Sequence, residues 1–426
     1  VPLYVEEAAK TLLDWGALRR ENGGSRLVRR LEEARIPDTI QGIIMARLDR
    51  LGEDGKRTVQ LASVIGRQFL KRLLGRIAGL THELDGLLGE LKTLEIVYEL
   101  GLLPEPAYIF KHAVIQDVAY QSLLVQRRRD LHRAVGQAIE ELYTDRLADH
   151  YEELAHHFAQ GEVWAQAFLY LVRSGDKARD TYANEAAIVH YTRAIEVAPR
   201  VTPELPLSTV LEIYQRRSRL QLVVAKNEEA IEGLEKMLEL ARAGGDRRLE
   251  GEALADLAFT HTYTLSWDHQ PVAARYAEEA AAIAREIGDD RILTKALATR
   301  GSVHCAYGEL DEGARMFQEA VRLGEPLGAP DLYLNGLWFL GHVHNWRGEF
   351  RVAIQIQNRV MGEAQAVHDE YDEGLGQWSL GLAHIGRGLY TEARAVLDDG
   401  LVKARERKSH FNVGRITNSL GWLHQE

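Results

Sequence analysis

The chain has 426 residues, room for two or three domains, and 46% of them are hydrophobic, so a large core can form. A formal net charge of −11 opposes whole-surface nucleic-acid binding and leaves only a local basic patch open to it. Cys305 is the sole cysteine, which excludes a disulfide framework and fits a reducing cytoplasm, and no apolar run reaches the roughly 18 residues of a membrane helix.

Val1 opens in mid-pattern without methionine or a leader, and Glu426 falls inside an expected helix; the sequence reads as a piece of a longer protein. Pro2 suits the first turn of a helix running to Trp15 and stopped by Gly16. Glu21 to Gly24 is a turn, and Arg26 to Leu31 a short strand. Residues 36–143 form a compact domain in this reading. Asp38 caps a helix whose stripe is Ile40, Ile43, Ile44, Leu48 and Leu51. Further helices cover Lys56 to Val64, Leu70 to Ile77 and Glu83 to Leu91. Ile96 to Leu100 and Ala107 to Lys111 are β-prone runs on either side of a Gly/Pro turn, a hairpin. The last three of these helices followed by the hairpin give the order of a winged helix. Helices from Ala113 to Leu124 and Arg127 to Tyr143 complete the domain.

From residue 144 onward the pattern is helical hairpins, with Ala167 and Leu171 marking one second helix and Ala187, Tyr191 and Ala194 the next. Val201 to Pro206 is a proline-rich link, and Thr264 to Gln270 an insertion. Gly301, Gly341, Gly381 and Gly421 then recur every 40 residues, each followed by a histidine three positions on. Gly308, Gly348 and Gly388 come seven after the first three, and Gly313, Ala353 and Ala393 twelve after. A fixed period of this kind marks a solenoid of hairpins that bury their apolar stripes on one another. The register glycine and the small residue twelve later let two helices approach, with Phe317 filling the gap beyond. The Leu-Gly, Gly, Ala, Phe, Ala pattern resembles the tetratricopeptide repeat, lengthened by several residues at each repeat end. The expected fold is therefore mainly α: residues 1–35 a linker helix, 36–143 winged-helix-like, and 144–426 a tetratricopeptide-like superhelix.

Several runs carry a second resemblance: Pro2-Leu3-Tyr4-Val5-Glu6-Glu7, Ile36-Pro37-Asp38-Thr39-Ile40, Ala46-Arg47-Leu48-Asp49-Arg50-Leu51, Leu61-Ala62-Ser63-Val64-Ile65-Gly66-Arg67-Gln68-Phe69, and Phe110-Lys111-His112 through Tyr120. Together they resemble the region after the nucleotide-binding core of STAND ATPases (signal-transduction ATPases with numerous domains). The nearest branch is the bacterial one often fused to an adenylate/guanylate cyclase domain. The resemblance implies an ADP/ATP switch with magnesium in the parent protein. It also implies an N-terminal ATPase core as intramolecular partner, with residues 1–35 as the end of that core or a linker helix, and an oligomer in the active form. Pro2 then stands near the adenine, and His112 near the ADP β-phosphate. The chain itself has no Gly-x-x-x-x-Gly-Lys-Ser/Thr phosphate cradle, so by itself it holds no cofactor and is no enzyme.

The sensor function needs a ligand surface. In a tetratricopeptide-like stack the first helix of each hairpin lines the groove. There the residues three before, one after and five after the register glycine are Trp338, His342 and Trp346, then Trp378, Leu382 and Gly386, then Asn418 and Trp422. Four of the seven tryptophans fall here, and large exposed aromatics suit a protein, peptide or small-molecule ligand. His304, His344, His384 and His424 do not form a metal site: successive hairpins stand about 10 Å apart, far beyond shared ligation of one ion. Arg127, Arg128, Arg129 and Arg133 are a solvated helix start. Glu83, Asp85 and Glu90 make the expected recognition helix acidic, against DNA binding. Two other readings remain: a free-standing scaffold for protein–protein contacts, and a winged-helix transcription regulator, which the acidic helix opposes.

Overall fold

A computed structural model describes residues 39–79, 83–101, 105–264 and 267–423, together with 5, 9, 12–13, 18–21 and 24–28. The chain divides into two compact units, Val1–Tyr170 and Leu171–Glu426, and the division falls inside one helix, Trp164–Asp180.

In the first unit, β1 (Leu18–Glu21) and β2 (Gly24–Leu27) pair antiparallel. The second strand was expected slightly later, and its partner was not expected. Helix α1 (Ile40–Leu48) starts at Thr39, whose side chain accepts from the Gly42 amide at 3.1 Å; the cap is this hydroxyl, and Asp38 lies outside the described residues. Then come α2 (Glu53–Ile65), β3 (Gln68–Leu70), α3 (Lys71–Ala78), α4 (Leu84–Thr93), β4 (Val97–Gly101) and β5 (Ala107–Phe110). The hairpin is present, and β3 joins it to make a three-stranded sheet in the order β3-β5-β4. Phe69 explains the extra strand. It sits across from Tyr108 in register, and its ring stacks on Tyr108 at 5.9 Å and tilts against Phe110 at 5.7 Å. Helices α5 (Ala113–Gln121), α6 (Val125–Leu142) and α7 (Tyr151–Gln160) follow.

The helix at the division is α8 (Trp164–Asp180). In the second unit it is followed by α9 (Asn184–Val197), α10 (Leu207–Val223), α11 (Asn227–Ala243), α12 (Arg247–Tyr263) and α13 (Gln270–Ile287). Then come α14 (Asp290–Ala306), α15 (Leu310–Gly324), α16 (Pro330–Trp346), α17 (Phe350–Ala366), α18 (Glu370–Gly386), α19 (Tyr390–Glu406) and α20 (His410–Leu423). Gly308, Gly348 and Gly388 end the first helices of three hairpins with φ of 83°, 75° and 72°, a turn that costs glycine little.

The register glycines are contact points. A Cβ on Gly301 would meet the Phe317 ring at 2.7 Å, and one on Gly381 would meet Leu397 at 2.5 Å. Phe317 therefore fills the notch at Gly301 itself. Gly175 meets Tyr191 at 2.4 Å by the same sixteen-residue spacing. That makes the later half of α8 a first helix paired with α9, while its earlier half packs on α7, Phe158 stacking on Tyr170 at 5.8 Å. Burial drives the stack: Ala187, Tyr191, Phe317, Ala353, Val360, Ala393 and Leu397 are all fully buried.

Candidate functional site

The aromatic positions expected in the groove part company. Trp338 is 3% exposed and His342 5%. The Trp338 indole donates from Nε1 to the Leu375 carbonyl of α18 at 2.9 Å, and the Trp378 indole donates to Ser419 Oγ of α20 at 2.9 Å. His342 Nδ1 stands 3.0 Å from Ser379 Oγ, and its ring lies 5.3 Å from that of Trp338 and 5.0 Å from that of Trp378. Burial, with the charge of Arg415 nearby, pushes the His342 pKa down to about 3, so the ring is neutral. These side chains form the seam between successive first helices and are not a wall open to ligand. The physical reason is a hydrogen bond: an indole N–H buried at this depth needs an acceptor, and the next helix supplies one. Leu382 and Trp378 are half-buried, while Trp346 and Trp422 are exposed at 52% and 54%. Arg415 lies over the Trp378 and Phe411 rings at 4.6 and 4.4 Å.

The first helices do line an open space, α14, α16 and α18 with their N-terminal halves. A cavity of about 600 Å³ is walled by α10, α12, α14 and the starts of α16 and α18. A second, of about 760 Å³, shares Arg179, Arg219, Val223, Asp369 and Tyr371 with it. Helix position dictates the lining. Counting back six and ten residues from the register glycines reaches Lys295 and Arg291 on α14, Asn335 on α16 and Tyr371 on α18. The sequence signal was there, a polar and charged row one turn and more ahead of the tryptophans, but the aromatics drew attention away from it.

The wall is an ordered ion network. Asp256 accepts from Gln215 Nε2 at 2.8 Å and from Lys295 Nζ at 3.0 Å. Arg216 donates to both Asp176 oxygens at 2.8 and 2.9 Å and to Glu212 at 2.6 Å. Arg248 pairs with Glu252 at 2.9 Å. At the second cavity, burial pushes the Glu373 carboxyl up, but hydrogen bonds from Gln365, Arg407 and Lys403 overcome it and hold the pKa below the usual value.

His112 caps α5 at the end of β5 in extended conformation, φ −131° and ψ 141°. It is half-buried, and its Nε2 is shielded from water without a hydrogen-bond partner. Such an atom fits contact with a phosphate oxygen. Pro2 lies outside the described residues. His304 and His344 each hydrogen-bond a glutamate five residues on, Glu309 and Glu349, while at His384 the same position is Leu389. At His304 and His344 the ring thus ties a first helix to the turn after it. His424 lies outside the described residues, among which no cluster of three or more His, Cys, Asp or Glu suited to a metal is present. Of the basic run, Arg129 pairs with Glu162 at 2.8 Å, Arg133 donates to the Gly161 carbonyl at 2.6 Å, and Arg128 covers the Tyr120 ring. No helix among the described residues is long and apolar enough to cross a membrane.

No family model and no curated protein matches the chain. Solved structures do. A STAND protein with a tetratricopeptide repeat sensor from Pyrococcus horikoshii aligns at 13% identity over 91% of this chain, TM-score 0.39, and the chain spans 65% of that protein's length. A Rap conjugation regulator solved with the Phr* peptide aligns at 16% identity, over 71% of this chain and 92% of that one, TM-score 0.46. A Rap protein complexed with competence and sporulation factor aligns at 14%, over 74% and 93%, TM-score 0.44.

Proposed function

We propose that the chain is a non-catalytic regulatory and sensor arm of a STAND-type signalling ATPase in the cytoplasm. Its superhelix takes up a peptide, protein segment or small ligand, and its first unit couples that event to a nucleotide switch held elsewhere in the parent. The observation that carries the binding half is the cavity walled by α10, α12 and the N-terminal halves of α14, α16 and α18, where polar side chains from five helices converge. The coupling half rests on the runs that resemble STAND ATPases and on the shielded, unpartnered Nε2 of His112. In the parent, His112 would meet the ADP phosphate, Pro2 would lie near the adenine, and the magnesium would be held by the ATPase core. Residues 36–143 serve as a winged-helix-like regulatory module. Acidic Asp85 and Glu90 on α4 speak against its use on DNA.

The test is made in the ATPase-bearing parent. Filling the cavity by Val223→Trp should abolish ligand stimulation and leave basal nucleotide turnover intact. His112→Ala should speed ADP release and raise basal output, because a contact made only in the closed state is lost. Stimulation unchanged in the first variant sinks the binding half; an unchanged ADP off-rate in the second sinks the coupling half.

A further inference from the structure

Three buried polar atoms on the wall of the second cavity are left unmatched. Gln377 of α18, Asn412 of α20 and Ser409, which immediately precedes α20, all line it. Each side chain is more than nine-tenths buried, and Gln377 Oε1, Asn412 Oδ1 and Ser409 Oγ have no hydrogen-bond partner among the described residues. A buried polar atom is costly to leave unpaired, so three around one cavity point to an occupant that pairs with them. Two glycines of the lining mark where the carboxamides end. A Cβ on Gly400 of α19 would lie 3.3 Å from Gln377 Oε1, and one on Gly374 of α18 would meet the Asn412 carboxamide. Gly374 and Gln377 are three residues apart on α18, so the Asn412 group seated on the first is a near neighbour of the second. The roles of the three differ. Gln377 Nε2 donates to Asp399 at 2.7 Å, which fixes the amide and leaves Oε1 as an acceptor. Asn412 Oδ1 is a second acceptor, and the Ser409 hydroxyl can also donate. Charge on this wall is of both signs, with Arg407 beside Glu370 at 3.5 Å and Arg179 beside Asp180 at 2.8 Å, and does not select.

We infer that the second cavity takes a primary carboxamide, the group that ends a glutamine or asparagine side chain of a peptide. Its two N–H donors match Gln377 Oε1 and Asn412 Oδ1, and its oxygen accepts from the Ser409 hydroxyl, so all three buried atoms are satisfied at once. The isosteric carboxylate has no donor. It would set oxygen against oxygen, and a site built to hydrogen-bond one group rejects the analogue that cannot. This inference deepens the binding role proposed above for the superhelix and rests on it.

The probes are dansylglutamine and dansylglutamate, which share the dansyl body and the α-carboxylate and differ only at the end of the side chain. Fluorescence titration of the full chain should give saturable binding of dansylglutamine, at least about tenfold tighter than dansylglutamate. In the Gln377→Met, Asn412→Ala double variant the two probes should bind within about twofold of each other, through weaker binding of dansylglutamine. Ser409→Ala removes a single oxygen and carries the test if the double variant fails to fold by circular dichroism; it should cut the preference at least about threefold. Equal affinities in the wild type, binding of neither probe, or a folded variant that keeps the full preference overturns the carboxamide inference and leaves the binding role of the superhelix standing. Val223 borders both cavities, and Val223→Trp, folded by circular dichroism, should remove dansylglutamine binding. If that binding persists unchanged, the cavity reading itself falls.

Discussion

Tyr182 donates its phenol hydrogen bond to Glu370, 188 residues along the chain. Beside it, Asn184 Nδ2 reaches the Arg407 carbonyl at 3.4 Å, and Arg407 pairs with Glu370 at 3.5 Å and Glu373 at 2.7 Å. The first hairpin of the second unit thus meets its later hairpins, and Tyr182, Asn184, Glu370 and Arg407 border the second cavity. Hydrogen exchange should show the consequence. Tyr182→Phe should loosen amides over 370–412 by about 1 kcal/mol, the worth of one charge-assisted bond discounted for exposure. Protection unchanged in that stretch would mean the contact does not hold the solenoid closed.

Glycines in one register should respond with opposite signs. Gly301→Ala places a methyl 2.7 Å from Phe317, and the ring has no room to retreat, being fully buried. A loss of about 2 kcal/mol in urea unfolding is expected. Among the described residues nothing lies within 4 Å of a Cβ on Gly421, so Gly421→Ala gains only helix propensity, up to about 1 kcal/mol. Equal losses at both sites would contradict the packing role.

Trp338 and Trp346 lie eight residues apart on one helix, yet they should differ several-fold in cost. Trp338→Ala removes a buried ring and its hydrogen bond to the Leu375 carbonyl, for about 3–5 kcal/mol. Trp346 is 52% exposed, and its removal should cost about 0.5 kcal/mol. Comparable denaturation midpoints for the two variants would place Trp338 back on an open wall.

That contrast marks how far the sequence could be read. The 40-residue period specified hairpins and the close helix approach, because glycine and its aromatic partner sit at fixed offsets within one repeat. Which face of the first helix meets its neighbour depends on how successive hairpins stack, a long-range relationship that spacing alone does not encode. A tryptophan row suits an open groove and a helix seam equally well as a pattern; the choice was made by Leu375 and Ser419, one repeat away. Strand β3 was missed for a related reason. Its three residues are too few for a period, and Phe69 becomes a strand residue only because Tyr108 and Phe110 offer it a surface. The pairing of α8 with α9 was legible, since Gly175, Ala187 and Tyr191 repeat the offsets of Gly301, Gly313 and Phe317.

Acid should unfold the first unit through a histidine pair. His132 Nδ1 and His157 Nδ1 lie 2.9 Å apart, with Tyr120 Oη 3.0 Å from His132 Nε2. Both imidazoles are buried, at 2% and 1% exposure, and His156 and Arg128 add positive charge nearby. Burial pushes the His132 pKa down to about 4 and the His157 pKa down to about 3, from 6.5. The sign follows from the direction. A histidine depressed in the fold binds protons more readily in the unfolded chain, so the fold loses stability as pH falls below 6.5 and the loss levels off only near pH 4 and below. The pair should cost at least about 2 kcal/mol by pH 4.5. Urea unfolding of the first unit, followed by hydrogen exchange at 125–160 between pH 7 and 4.5, reads this directly. His157→Gln lowers stability at pH 7 but should flatten the slope, since one titrating group and its repulsion are gone. A variant whose stability falls with acid as steeply as the wild type would show that the pair is not what titrates.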